Sequence, residues 1–149
     1  MLPSHSKNET TMQQTAISYL QTLVPTGMPV PKLTFSSSSG RDHLSLPAEN
    51  ILWIQAQQNY VEFCWQVGEE VHTTLLRTTF SMVLDKLPTN FLQIHRSVVV
   101  NLDQLAQMSR RHRGYQVKLG SSSLEMPVSL RYAPRLIEYL RNYRPHLRP

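Results

Sequence analysis

Four short stretches of the chain concentrate hydrogen-bonding and cationic side chains at spacings suited to recognition chemistry. In FLQIHRSVVVNL, residues 91–102, the polar triplet His95, Arg96 and Ser97 stands between an apolar strand start and a run of valines. An arginine so placed can bind guanine bidentately or pair with a phosphate. Gln57, Gln58 and Asn59 run into Tyr60, and adjacent amides can offer donor and acceptor together to a base edge, adenine above all. Ser129 and Arg131 precede a helical pattern, where free backbone amides and the helix dipole favour a phosphate, and Arg135 lies one turn on. Arg110, Arg111, His112 and Arg113 form the densest charge cluster, whose members repel one another until an anion arrives. Each stretch also has a plainer reading: a solvated turn, the polar edge of a strand, or a basic surface that aids solubility.

The elements that must hold these groups are short. Val98, Val99 and Val100 are stiff, β-branched and suited to a packed sheet, so the triplet before them has a firm support. Strands are predicted over 33–36, 43–46, 51–56, 60–67, 71–76, 104–110, 115–119 and 124–128, separated by turn residues such as SSSSGRD, Gly68 with Glu69 and Glu70, RRHRG and GSSS. Phe80, Val83, Leu84 and Leu87 recur at helical spacing behind a capping Thr78, Thr79 or Ser81. Leu136, Ile137 and Leu140 define a C-terminal helix to Tyr143, with Pro134 in its first turn and its start near Arg131 or Tyr132. Residues 10–24 carry Met12, Ala16, Tyr19, Leu20 and Leu23 on one helical stripe, closed by Pro25 and Gly27. Pro25, Pro29 and Pro31 then form a stiff link, and the final RPHLRP is expected to be loose. The organisation is thus a tail, short helix and proline-rich linker over 1–32, a β domain over 33–143 and a tail over 144–149.

A chain of 149 residues, 40% hydrophobic and 17% charged, holds one core. No apolar run approaches the roughly 18 residues that a membrane helix needs, and the N-terminus lacks a signal-peptide pattern, so a cytoplasmic protein away from the membrane is expected. Cys64, between Phe63 and Trp65, is the only cysteine and reads as packing. The net charge of +5 is unevenly spread: residues 1–90 carry five Lys/Arg against seven Asp/Glu, residues 91–149 ten against three. Such segregation is the footprint of a face for a polyanion, since neutralising phosphates releases condensed counterions. The sequence has no glycine-rich phosphate loop, nucleophile elbow, HExxH or CxxC, and its six histidines form no pair at ligand spacing. Neither catalysis, a cofactor nor a metal site is expected.

Taken in order, the pieces resemble the LytTR family of bacterial DNA-binding domains. ENILWIQAQQNYVEF (49–63) is similar to the family's opening "D-I-x-Y-I-E-A-x-x-N-Y-V", and LLRTTFSMVLDKLPTNFLQIHRSVVVNLDQL (75–105) to its centre "L-x-x-L-x-x-L-P-x-x-F-x-R-I-H-R-S-Y-I-V-N-L". LEMPVSLRYAPRL (124–136) resembles its closing "L-P-V-S-R-R-Y". The resemblance implies a mainly β domain of about ten short antiparallel strands in stacked sheets. A short central helix, a C-terminal helix and a separate N-terminal helix complete it. It implies loops entering successive major grooves, at paired direct-repeat sites that bend the duplex. By position the contacts fall to Asn59 and Tyr60, to Arg96 after His95, and to the turn of Leu130 and Arg131. The family often has Arg where this chain has Gln93 and Leu130, so a contact at the helix start is lost or shifted to Arg131. His95 either touches DNA or orients its loop.

The reading is therefore a double-stranded DNA-binding transcriptional regulator of the response-regulator output type. Gln58, Asn59, Arg96 and Arg131 would read bases; Arg110, Arg111, Arg113, Lys118 and Arg135 would anchor phosphates. A homodimer on DNA and an upstream sensor or kinase are the expected partners; the 32 residues before the domain are too few for a receiver, which leaves a stand-alone regulator or part of a longer one. Two rivals stay open: a docking module that presents Tyr60, Phe63, Trp65 and Tyr115 to an acidic partner, and a single-strand binder that stacks bases on those rings.

Overall fold

The computed structural model describes residues 32–149; the helix expected over 10–24 and its linker lie outside that range. Among the described residues, a five-stranded antiparallel sheet in the order β5-β4-β3-β7-β6 forms the middle layer. It comprises β3 (Ile51–Gln57), β4 (Tyr60–Val67), β5 (Glu70–Leu76), β6 (Phe91–His95) and β7 (Val98–Asn101). The hairpin of β1 (Lys32–Ser36) and β2 (His43–Pro47), with helix α1 (Phe80–Leu84), covers one face. The three-stranded sheet of β8 (Leu105–Arg111), β9 (Gly114–Leu119) and β10 (Met126–Val128), with helix α2 (Ala133–Tyr143), covers the other.

Covering both faces explains why the valine run breaks alternation. Val99 packs with Phe35, Leu44 and Phe63 on the hairpin side, whereas Val98 and Val100 pack with Val117, Leu136 and Leu140 on the other. All are buried, which only an interior strand of a doubly covered sheet allows. Ile51, Leu52, Trp53 and Ile54 are buried in succession for a second reason as well. A register shift between Ile51 and Trp53 sends Leu52 and Trp53 to the same layer, as a bulge does. Burying each such aliphatic side chain contributes about 1.5–3 kcal/mol, so the two apolar layers clamp the sheet firmly.

Within the described residues the expected elements are present, with shifts at their ends. Thr79 caps α1 through Met82 N–H, and the helix closes at Leu84 rather than continuing to Leu87. β10 is limited to Met126–Val128 instead of starting at Leu124; it is an edge strand in which Pro127 has no N–H to donate. α2 begins at Ala133, since Ser129 O accepts from both Tyr132 N–H and Ala133 N–H in a turn ahead of the helix. The C-terminal tail is more ordered than RPHLRP suggests: Pro145–Leu147 form a 3-10 turn with Leu147 packed on the core, and Arg144 donates to Leu102 O at 3.4 Å.

Candidate nucleic-acid interface

Strand direction decides which turns meet. The β3–β4 turn carries Gln58 and Asn59 between the paired Gln57 and Tyr60. Ala56 N–H donates to Ser97 O at 2.8 Å, which sets the β6–β7 turn of Arg96 and Ser97 directly beside it. β5 ends at Leu76, opposite Val61, so Arg77 emerges at the same end of the sheet. Ser129 N–H donates to Ile94 O at 3.0 Å, which brings the Ser129–Leu130–Arg131 turn to the next position along that edge. Val128 pairs with Tyr115, and the β8–β9 turn of His112 and Arg113 therefore closes the row. Groups scattered over 74 positions of sequence, from Gln58 to Arg131, line one end of the described domain.

The turns are held from within. Gln58 takes a φ of 55°, a left-handed value uncommon for residues other than glycine, in the tight β3–β4 connection. Gln57 Nε2 donates to Glu62 Oε1 at 2.9 Å beside it, and burial pushes the Glu62 carboxyl above its ordinary range. At the β6–β7 turn, Ser97 N–H donates to His95 Nδ1 at 3.2 Å, with Ser97 Oγ 3.0 Å from the same nitrogen. Nδ1 thereby accepts from the turn's own backbone. Gln93 Nε2 donates to His95 O at 3.1 Å and to Arg96 O at 3.2 Å. His95 and Gln93 thus shape the turn that presents Arg96. Gly114, at φ 128°, leaves room that a Cβ would fill, 2.5 Å from Val128 O and 3.8 Å from Leu130 N. Its bare backbone lets the β8–β9 turn approach the Leu130 segment.

The exposed cations divide by what they touch. Arg96, Arg113 and Arg135 are exposed, and none has a side-chain hydrogen bond or ion pair among the described residues. Arg131 lies 5.9 Å from the Tyr132 ring centroid and Arg110 5.6 Å from that of Tyr115. Arg111, by contrast, forms an ion pair with Glu125 at 2.6 Å and donates to Gln116 Oε1 at 2.9 Å, so its guanidinium is committed within the three-stranded sheet. Lys118 sits roughly 13 Å along β9 from Gly114, at about 3.3 Å per residue, and is not brought to the row of turns.

One cation escapes the sequence pattern. Arg77 belongs to the acidic half of the chain and to no cationic cluster of the sequence, yet its guanidinium lies 5.7 Å from the Tyr60 ring centroid and its carbonyl accepts from Ser38 N–H at 2.8 Å. Together with Gln58, Asn59, Tyr60 and Thr79 it lines a cleft of about 360 Å³. The available signal was the register of a strand ending just before it, which composition does not reveal. The aromatic rings fare differently from a docking surface: Phe63 and Trp65 are buried, and the accessible rings of Tyr60 and Tyr115 each have an arginine over them. Among the described residues no cluster of His, Cys, Asp or Glu could hold a metal, and no helix is long and apolar enough to cross a membrane.

Comparison with known proteins gives this architecture its class. The family model described as LytTr DNA-binding domain matches residues 42–141. The chain belongs to that family. It is 28% identical over 114 residues to an uncharacterized response regulatory protein of Vibrio cholerae, a match covering 76% of this chain and 43% of the relative. The chain therefore spans less than half the length of that curated relative. Among solved structures it resembles a LytTr DNA-binding domain from Bacillus cereus, with a TM-score of 0.55 and 19% identity over 74% of this chain and 96% of the other, a likeness of fold. The protein thus carries a DNA-binding domain of that family.

Proposed function

We propose that the protein is a sequence-specific regulator that reads double-stranded DNA with the turns at one end of its β domain. The observation that supports this most directly is the alignment of the β3–β4, β6–β7, β8–β9 and β10–α2 connections along one edge, fixed by backbone bonds from Ala56 to Ser97 and from Ser129 to Ile94. Loops so aligned can enter neighbouring grooves of a duplex without a recognition helix. Gln58, Asn59 and Arg96 are the base readers, with Tyr60 beside them and Arg131 at the next turn. His95 and Ser97 set the Arg96 turn. Arg110, Arg113 and Arg135 hold phosphates, joined by Arg77; Arg111 and Lys118 make a weaker, peripheral contribution. Paired direct-repeat sites, two copies on DNA and control by an upstream sensor or kinase complete the reading, as an output domain over 33–143 working in the cytoplasm.

The test is selection from a random pool of duplexes by the purified protein at two salt concentrations, with sequencing of what is retained. The expected result is a short motif recurring at about one helical turn, surviving the higher salt. Retention at low salt alone, with no motif, would leave only electrostatics and overturn the reading.

A further inference from the structure

Leu130 is 65% exposed, although leucine gains from leaving water. Single exposed leucines are ordinary, so the position rather than the exposure carries the argument. Among the described residues, the other large exposed apolar side chains are Tyr60, Met82, Leu124 and Tyr143. Leu124 and Tyr143 belong to the β9–β10 connection and the end of α2, away from the turn tips, and Met82 lies on α1 with its sulfur accepting from Thr78 Oγ1 at 4.0 Å. Tyr60 has Arg77 over its ring. Leu130 alone among them stands uncovered in the row of turns, between Ser129 and Arg131.

Its backbone is fixed on both sides. Ser129 N–H donates to Ile94 O, and Ser129 O accepts from Tyr132 and Ala133 N–H, each at 3.0 Å. Gly114 packs beneath, so close that an added Cβ would press on Val128 O. A side chain on such a frame meets its target at a set place with little further loss of freedom. Leucine has no donor or acceptor. The group on a major-groove base edge that it can recognise is the C5-methyl of a pyrimidine, and in unmodified DNA that pyrimidine is thymine.

We infer that Leu130 is a specificity-determining residue that selects thymine by packing against its C5-methyl group, next to the base or phosphate taken by Arg131. The inference rests on the proposed function and names what one of its turns prefers. Selection of a site tests that function; removal of single methyls from the selected site tests Leu130.

The experiment takes the duplex retained from the random pool and replaces each thymine in turn by deoxyuridine, which removes the methyl and keeps the pairing edge. Affinities are measured for the wild type, Leu130→Ala and Leu130→Met. The wild type is expected to lose about fourfold at one thymine, the ratio that burying one methylene corresponds to. Leu130→Ala should bind the unmodified duplex about fourfold less tightly and be indifferent to that same replacement, while Leu130→Met keeps the sensitivity. Circular dichroism should show all three folded, since the side chain is exposed. A motif with no thymine whose methyl effect disappears in Leu130→Ala would overturn the inference and leave the proposed function standing. The absence of any motif would overturn both.

Discussion

The two ends of the five-stranded sheet use polar side chains in opposite ways. At the far end, amides tie the backbone to itself: Asn50 Nδ2 donates to Gln66 O, Gln66 Oε1 accepts from Ser121 N–H and Gln104 Nε2 donates to Glu49 O, each at 2.7 Å. Asn101, fully buried, donates to Ile51 O at 2.9 Å and accepts from Asp103 N–H at 3.0 Å. The exposed charges there include Glu49, Glu69, Glu70 and Asp103, while the half-buried Arg144 is tied to Leu102 O. At the turn end, internal bonds such as those from Gln93 and Ser97 shape the backbone, while Arg96 and Arg113 project without a polar partner among the described residues. A polar group satisfied within the fold stabilises it, whereas one left in solvent keeps its bonding capacity for a ligand. The closed end holds the fold, and the open end is available to DNA.

The sharpest way to break this contrast is Asn101→Leu, which orphans the Ile51 carbonyl and the Asp103 amide. It should lower stability by about 3 kcal/mol in urea unfolding, without changing the DNA affinity of the molecules that remain folded. Arg96→Ala should do the reverse, with the urea midpoint unmoved and specific binding falling about thirtyfold, the loss of roughly 2 kcal/mol expected for a base contact. Arg113→Ala would weaken all duplexes alike and reduce the salt slope by about one unit, and equal profiles for the two arginine variants would erase the distinction between base and phosphate contact. Gln58→Gly relaxes the positive φ and should raise stability by up to about 1 kcal/mol while selectivity at one base position declines.

The smallest effect concerns Cys64, buried midway along β4. Burial first, and the nearby Glu62 second, push its thiol up to about 12 from an ordinary value of 9.0. A folded pKa above the unfolded one means that the unfolded chain loses its proton first as pH rises. This contribution to stability is whole below pH 9 and declines between 9 and 12. The fall in urea midpoint from pH 8 to pH 10 should therefore be smaller in Cys64→Ala than in the wild type.

How much of this was legible in the residues differs between the two ends. Val98–Val100, the Tyr60–Val67 alternation and the 3.6-residue pattern of Leu136 and Leu140 announce their elements, because packing imposes those periods locally. Most of the turn-end residues also announce themselves, since cations and amides in turns are local signals. What stays hidden is pairing at a distance. Nothing in the composition says that β7 lies between β3 and β6, that Arg77 arrives beside Tyr60, or that Arg111 is engaged by Glu125 while Arg113, two residues on, is free of ion pairs among the described residues. The clamps of the far end are equally silent, because an asparagine bonded to carbonyls some fifty positions away looks like any other asparagine.

The bonds that align the turns, from Ala56 N–H to Ser97 O and from Ser129 N–H to Ile94 O, are made by backbone atoms alone. Substitution of a tip side chain leaves them in place. On the proposed reading, a lineage carrying this domain could exchange Asn59, Arg96, Leu130 or Arg131 and acquire new target sites while its stability stays nearly constant. Divergence in the genes such proteins govern would accumulate at those few positions, with the scaffold inherited almost unaltered.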